Sequence, residues 1–337
     1  MLDDALRTFG GDNALLAAKA AVLQGAGDAH GAYACLQAKA HQPHASAALL
    51  VRAGLAALEF DSPVALALAE RARRANPDDA AALNLLVAAQ LGVGDARNAL
   101  RNCEALLATS ADDQYLVALQ TTAWRLLGDP RYAELCDYAN LVVPSQLDVP
   151  PGWSDLTDFL ADVKISLDRL HDRLRHPLLF QSLRHGTETT GDLARSDDPV
   201  IQALFKALDA PIRAYMSRAG NGSDPLRRRN RGAYRFNGGW SVRLRSAGFH
   251  NSHVHPRGWI SSACYIDLPD GMDGQSSDGC LTFGVPSMRT TPALDMERTV
   301  RPQAGMLVLF PSYFWHGTVP FIGERARLTV AFDVVPA

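Results

Sequence analysis

Three histidines in the last third of the chain have a spacing that suits a metal site. His253 and His255 stand two residues apart in the segment GFHNSHVHP, and His316 follows the apolar run GMLVLFPSYFW. Residues two apart in a strand project to the same side, so the rings of His253 and His255 can converge on one point. Imidazole nitrogens suit iron, copper, nickel or zinc. The spacing therefore predicts a metal held by imidazoles on neighbouring strands, with positions left open for a substrate.

Two arginines follow the last of these histidines at strand spacing. Arg325 and Arg327 stand nine and eleven residues after His316, and we expect them to share one face of the last strand. A guanidinium that faces the same cavity as the histidines suits bidentate binding of a carboxylate. An HxH pair alone is a weak signal, and its combination with a late histidine and these arginines indicates a site for a metal and an acid.

The elements that must position these side chains are short strands. From Tyr234 onward, Gly, Pro, Asn or Asp separate the β-rich runs 240–245, 259–268, 280–285, 305–311 and 326–335. Strands this closely spaced, without helices between them, predict a sandwich or barrel. Apolar residues at helical spacing predict flanking helices over 154–175 and 198–217.

The first half of the chain is rich in alanine and leucine and carries markers with a period of 34 residues. The markers are Pro43 and Pro77, Gly94-Asp95 and Gly128-Asp129, and Ala65, Ala99 and Ala133. This half resembles tetratricopeptide repeats, whose stacked helix pairs form a solenoid with a concave groove for a peptide or protein. An unrelated bundle of alanine-rich helices is the alternative.

A change of composition around the prolines at 144, 150 and 151 indicates a domain boundary. We expect a helical repeat domain over 1–146, a linker and helix over 147–180, and a β domain over 181–337.

Composition and charge exclude several classes of protein. The formal net charge is −3 and 47% of the residues are hydrophobic, which argues against binding of nucleic acid by bulk charge and against disorder. The chain lacks an apolar run long enough to span a membrane, and its acidic start lacks the pattern of a signal peptide. Five scattered cysteines suit a reducing compartment, so we expect a cytoplasmic protein.

Three segments together resemble the iron(II)- and 2-oxoglutarate-dependent oxygenases, most closely the bacterial ones that carry tetratricopeptide repeats ahead of the oxygenase domain. They are HNSHVHPRGWISSACYIDLP (250–269), GMLVLFPSYFWHGTVPF (305–321) and ERARLTVAFDVVP (324–336), and RHGTETTGDL (184–193) is also similar. The resemblance implies a double-stranded β-helix, a jelly-roll or cupin-like fold, with iron(II) and 2-oxoglutarate as cofactors.

The resemblance also implies roles for single residues. His253 takes the first histidine position of the metal motif, His316 the distal one, and Arg327 the position that pairs with the far carboxylate of 2-oxoglutarate. Arg325 competes with Arg327 for that position, and Tyr265 lies where some relatives hydrogen-bond the co-substrate. From the residues themselves, Asn251 either orients a ligand histidine or shapes a turn.

One position departs from the family pattern, because His255 stands where the usual HxD or HxE motif has its carboxylate. Either three imidazoles bind the metal, or His255 stands aside and water completes the coordination.

The sequence thus predicts a dioxygenase that uses O2 and hydroxylates a protein, a peptide or an amino-acid-like substrate, with the repeat groove as the place for a partner. A non-enzymatic adaptor with a degenerate oxygenase domain is one alternative. A three-histidine dioxygenase of the cupin type that needs no 2-oxoglutarate is the other.

Overall fold

The N-terminal half of the chain is helical. The computed structural model describes residues 4, 8, 12–172, 182–270 and 276–337. The helices of this half are α1 (Asn13–Gly25), α2 (Ala29–Ala40), α3 (Ala47–Leu58), α4 (Ser62–Ala75), α5 (Ala80–Gly92), α6 (Ala96–Leu107), α7 (Gln114–Leu127), α8 (Arg131–Leu135) and α9 (Tyr138–Leu141).

The 34-residue period corresponds to recurring helix starts. Asp61 and Asp95 lie 34 residues apart and cap α4 and α6, and Asp79 and Asp113, also 34 apart, cap α5 and α7. Each side chain accepts a hydrogen bond from a backbone N–H that the first turn leaves without a helical partner. Consecutive helices pack against each other from α1 to α8, and the periodic alanines at 65 and 99 are fully buried. The N-terminal half is therefore helical as predicted, and its assignment to tetratricopeptide repeats stays a prediction.

Three further helices follow β1 (Val143–Gln146) along the chain, one before strand β2 (Leu183–Glu188) and two between β2 and β3 (Tyr234–His250). They are α10 (Leu156–His171), α11 (Pro199–Ala207) and α12 (Asp209–Ala219). Asp155 caps α10, and residues 173–175 of the helix predicted there lie outside the described residues. The single helix predicted over 198–217 is instead two helices that meet at Leu208. Pro211 offers no N–H to the carbonyl four residues earlier, which explains why one continuous helix does not form.

The C-terminal half consists of antiparallel strands in two sheets. The strands are β1 (Val143–Gln146), β2 (Leu183–Glu188), β3 (Tyr234–His250), β4 (Ile260–Asp267), β5 (Leu281–Phe283), β6 (Arg298–Val300), β7 (Met306–Pro311), β8 (His316–Thr318) and β9 (Arg327–Pro336). Within the described residues, one sheet has the order β1-β7-β4-β9-β3-β2 and the other the order β6-β5-β8. Strand β1 comes from the end of the helical half and pairs with β7, so the helical half supplies one edge of the larger sheet. The double-stranded β-helix stays a prediction.

The helices and the sheets share one hydrophobic core. Polar contacts secure the same interface: Trp315 Nε1 donates to Thr122 Oγ1 at 2.9 Å, and Tyr313 Oη donates to the carbonyl of Leu135 at 3.0 Å. Arg125 donates to the carbonyl of Gly284 at 2.8 Å. None of the helices in the described parts of the chain has the length and apolar character that crossing a membrane requires.

Candidate functional site

Backbone pairing brings the predicted histidines together. The N–H of His253 donates to the carbonyl of His316 at 2.9 Å, and the reverse bond is 3.0 Å long. The N–H of His255 donates to the carbonyl of Ser312, the first residue of the turn that follows β7, at 3.0 Å. The segment after β3 is thereby fixed against the start of β8, although more than sixty residues separate them in sequence.

The three side chains form a cluster that can hold a metal ion. One ligand atom from each of His253, His255 and His316 lies within 4.8 Å of the others. Each Nδ1 donates a hydrogen bond: to the carbonyl of Asn251 at 2.8 Å, to Asp333 Oδ1 at 2.7 Å and to the carbonyl of Phe314 at 2.8 Å, respectively. Because Nδ1 carries the proton in each ring, Nε2 keeps the lone pair that a metal requires. The donor set therefore fits a transition metal such as iron(II).

Burial keeps most of the cluster uncharged. Burial, with the charge of His255 second, lowers the pKa of His253 to about 3. The pKa of His316 lies well below its ordinary value, again through burial and then through its histidine neighbours. Burial also lowers the pKa of His255, but the opposing charge and hydrogen bond of Asp333 outweigh it and leave that pKa raised.

Arg327 lies in the same cavity as the histidines and fits the far carboxylate of 2-oxoglutarate. Arg327 is 3% exposed, and its guanidinium donates to the carbonyl of Gly279 at 2.6 Å and forms no ion pair with a carboxylate of the described residues. It lies over the ring of Tyr265, 4.9 Å from the centroid. The buried hydroxyl of Tyr265 has no hydrogen-bond partner among the described residues. A buried cation and a buried hydroxyl in this state are expected to have a bound anion as partner.

The other two predicted cofactor residues take different places. Arg325 precedes β9, so the face that it was expected to share with Arg327 does not form. Its side chain is 53% exposed and contacts Asp267 and Asp270, outside the cavity that Arg327 lines. Asn251 contacts the site through its backbone: its carbonyl accepts from His253, and its N–H donates to the carbonyl of Ser182 at 2.9 Å.

A groove of about 610 Å³ between the helices and the sheets reaches the histidine cluster. Gln24 and Leu55 line it from the helical half, Met288 lines it from the loop after β5, and His253 and Ser182 lie on its other side. The groove therefore gives a larger molecule a route to the histidine cluster.

Three site residues, His250, Ser182 and Asp333, were not predicted from the sequence. His250 is hydrogen-bonded through Nδ1 to Ser182 Oγ at 2.9 Å, and its ring lies 5.7 Å from that of His253. Asp333 contacts His255 from β9. A carboxylate within the otherwise apolar run LTVAFDVV is the signal that could have identified Asp333, because a buried charge in a strand requires a partner.

Residues 238–333 match the sequence model of a family described as "Putative 2OG-Fe(II) oxygenase". This segment contains all three clustered histidines, Arg327 and Asp333. No curated protein matches the chain.

The chain is similar to several solved structures, of which two prolyl hydroxylases and HygX are examples. The viral collagen prolyl hydroxylase from Paramecium Bursaria Chlorella virus-1, in its 2OG complex, is 10% identical, with 60% of this chain and 99% of that chain covered and a TM-score of 0.38. The Pseudomonas putida prolyl-4-hydroxylase is 16% identical, with 60% and 97% covered and a TM-score of 0.38. HygX from Streptomyces hygroscopicus with nickel, 2-oxoglutarate and hygromycin B is 16% identical, with 60% and 85% covered and a TM-score of 0.37.

The family match and the three-histidine cluster confirm the prediction that the cofactors are iron(II) and 2-oxoglutarate. Residues 238–333 are thus similar in sequence to the 2OG-Fe(II) oxygenases, the class of oxidoreductase that the segments 250–269, 305–321 and 324–336 resemble.

Proposed function

We propose that this protein is an iron(II)- and 2-oxoglutarate-dependent dioxygenase that hydroxylates a protein, peptide or amino-acid-like substrate. The observation that carries the proposal is the cluster of three imidazoles, each hydrogen-bonded through Nδ1, in one cavity with the buried cation of Arg327. A metal and a dicarboxylate together satisfy both halves of this arrangement.

Each residue of the site has a distinct role in this proposal. His253, His255 and His316 hold iron(II) through Nε2, while Arg327 and the hydroxyl of Tyr265 bind the far carboxylate of 2-oxoglutarate. When bound, iron and 2-oxoglutarate supply the oxidation of a C–H bond by O2, coupled to decarboxylation of the keto acid to succinate. The apolar walls of the cavity, including Trp240, Val242 and Phe310, exclude water from the reacting groups.

The groove supports a peptide or protein as the substrate. Its volume of about 610 Å³ exceeds what a free amino acid occupies, and side chains of the helical half form one of its walls. In this proposal the helical half is a tetratricopeptide-like solenoid that presents a chain segment to the metal, with the target residue next to His253.

Succinate production tests the activity. Purified protein with iron(II), ascorbate and 2-oxoglutarate is expected to release succinate, and His253→Ala and His316→Ala are expected to abolish it. His41→Ala, which changes an exposed histidine of the helical half, is the matched control and should retain full turnover. The proposal would be contradicted if the protein released no succinate in air and also showed no iron–2-oxoglutarate absorption band under anaerobic conditions. The adaptor function would then remain.

The lack of a carboxylate in the cluster favours a second candidate, a three-histidine dioxygenase that needs no 2-oxoglutarate. That enzyme would consume O2 at a rate independent of the keto acid. Arg327→Ala would then leave the metal-dependent O2 consumption unchanged.

A further inference from the structure

The usual motif places a carboxylate on the metal. In this structure a carboxylate contacts the histidine that occupies that motif position. We propose that Asp333 is a positioning residue that holds His255 for metal binding and places a carboxylate's negative charge directly behind it. The inference rests on the proposed function, because it assigns His255 as a metal ligand.

The contact between the two side chains is short and buried. His255 Nδ1 lies 2.7 Å from Asp333 Oδ1, and the side chains are 12% and 11% exposed. Strand β9 supplies the aspartate, whereas His255 lies in the segment that follows β3. The contact therefore joins two parts of the chain that approach each other only after folding.

A hydroxyl network fixes the carboxylate independently of the histidine. Ser261 Oγ donates to Asp333 Oδ1 at 2.6 Å, and Ser312 Oγ lies 2.8 Å from Ser261 Oγ. The backbone of Ser312 also accepts from the N–H of His255 at 3.0 Å. The imidazole and its carboxylate are therefore held by the same turn, which restricts the orientation of the ring.

The other two histidines provide an internal comparison. The Nδ1 atoms of His253 and His316 donate to neutral backbone carbonyls of residues two positions earlier. An anionic acceptor makes a stronger hydrogen bond than a neutral one and raises the basicity of the opposite nitrogen. Of the three histidines, His255 is thus expected to have the most basic Nε2 towards a metal. It also occupies the motif position where the usual HxD or HxE motif has a carboxylate.

This arrangement explains how three imidazoles can replace two imidazoles and a carboxylate. The usual triad gives iron(II) one negative charge from its carboxylate ligand. Here the same charge lies behind His255, outside the ligand atoms. The net charge of the site is kept while the ligand in contact with the metal becomes neutral.

Metal affinity tests the proposal without turnover. Asp333→Asn and Asp333→Ala are expected to weaken Co(II) or Zn(II) binding by about 10- to 100-fold in competition with a chromophoric chelator. Asp333→Asn is also expected to shift the absorption band of the anaerobic iron(II)–2-oxoglutarate complex. Asp267→Asn, which changes a carboxylate that contacts Arg325 and Lys164, should alter neither quantity.

A second background separates positioning from a merely structural role. In His255→Asp the carboxylate binds the metal directly, so adding Asp333→Asn should no longer weaken metal binding and should relieve the repulsion between two carboxylates. A loss of affinity from Asp333→Asn that is equal in both backgrounds would overturn the proposal, as would unchanged affinity with lower stability alone.

The wild-type protein gives a measurement that does not depend on any variant folding. In the Zn(II)-loaded protein, 15N NMR is expected to show His255 protonated at Nδ1 and metal-bound at Nε2. Zinc binding without participation of His255 would overturn this inference and leave the proposed function standing. Failure of the wild type to bind iron(II), Co(II) or Zn(II) would instead overturn the proposed function.

Discussion

Tyr265 and Arg327 form a pair of buried polar side chains that can donate further hydrogen bonds to an anion. The tyrosine hydroxyl has no hydrogen-bond partner among the described residues, and burial lowers the pKa of the Arg327 guanidinium. Two such groups side by side destabilise an empty cavity and stabilise one that contains a carboxylate.

Tyr265→Phe should therefore separate binding from folding. A hydrogen bond to a charged group contributes about 1.5–3 kcal/mol, so the KM for 2-oxoglutarate is expected to rise 10-fold or more. The free energy of unfolding of the ligand-free protein should not fall, because the hydroxyl has no partner to lose. Succinate assays and urea unfolding measure the two quantities. Arg325→Ala is the control, with both expected to stay unchanged; lower stability with an unchanged KM in Tyr265→Phe would contradict the role.

At the residue scale, the sequence was sufficient to predict the three histidines that lie together in the structure. HxH and a histidine after an apolar strand were sufficient for the cluster. The different positions of Arg325 and Arg327 follow from the start of β9, which begins at Arg327 and leaves Arg325 outside the strand. Asp333 could not be assigned to His255, because no spacing rule relates residues 78 apart on different strands.

Among the elements, β8 approaches the end of β3 so closely that one glycine is required. A Cβ on Gly317 would lie 2.9 Å from the carbonyl oxygen of His250 and 3.2 Å from the N of Ser252, both backbone atoms. The glycine thus permits the pairing that sets His253 beside His316.

Gly317→Ala is expected to disturb both the fold and the metal site. Relief of the clash must move β8, which costs about 1–3 kcal/mol of unfolding free energy, and should weaken Zn(II) binding by at least 10-fold. Gly191→Ala is the matched control, since a Cβ there meets nothing within 4 Å. Equal behaviour of the two variants in denaturant unfolding and metal titration would contradict this requirement.

Helix α10 is tied to β2 and β3 by a buried histidine. His171 lies 2.8 Å through Nδ1 from Thr187 Oγ1 and 3.0 Å through Nε2 from Ser241 Oγ. Burial, reinforced by the nearby charge of Arg243, lowers its pKa to about 4, although Asp168 and Asp172 oppose the shift. His171 is therefore neutral in the folded protein at neutral pH.

This neutral histidine predicts a loss of stability in mild acid. The folded state binds fewer protons than the unfolded state, whose histidine has a pKa of about 6.5, so the contribution is complete above that pH and is lost as the pH falls towards 4. The unfolding free energy should decrease by about 2 kcal/mol between pH 7.5 and 5 from this group. Urea unfolding of the metal-free wild type and of His171→Gln measures the difference. The same pH slope in both proteins would contradict the assignment.

Element types were predicted better than their ends and partners. Periodicity predicted the helices and the strands after residue 234, because one buried face leaves a repeating pattern. It did not predict the break at Leu208. It also did not predict the pairing of β1 with β7, which brings the end of the helical half into the sheet. The break has a local cause in Pro211, which lacks the N–H that a continuous helix requires, whereas the pairing depends on tertiary contacts that a local pattern does not contain.

Across the whole molecule, the helical half packs on the turn that carries His316 of the histidine cluster. Tyr313, Phe314 and Trp315 precede His316 directly and are at most 4% exposed. Trp315 donates to Thr122, and Tyr313 to the carbonyl of Leu135. Removing the helices would expose these aromatic rings and leave the backbone of β7 without its partner β1.

A chain that lacks residues 1–146 is therefore expected to be unable to form the metal site. Loss of the shared core should leave it aggregated or partly unfolded, and the turn that orients His316 should lose its support. Far-UV circular dichroism, size-exclusion chromatography and Zn(II) titration check this against the full chain. Thr122→Val tests the same contact with a single change. It removes the nearer acceptor of the Trp315 indole, which keeps the carbonyl of Ala118 at 3.3 Å, and should cost about 0.5–1.5 kcal/mol of unfolding free energy. A monomeric fragment that binds zinc as tightly as the full chain would show that the β region positions its ligands alone, and the helices would then serve only to bind a partner.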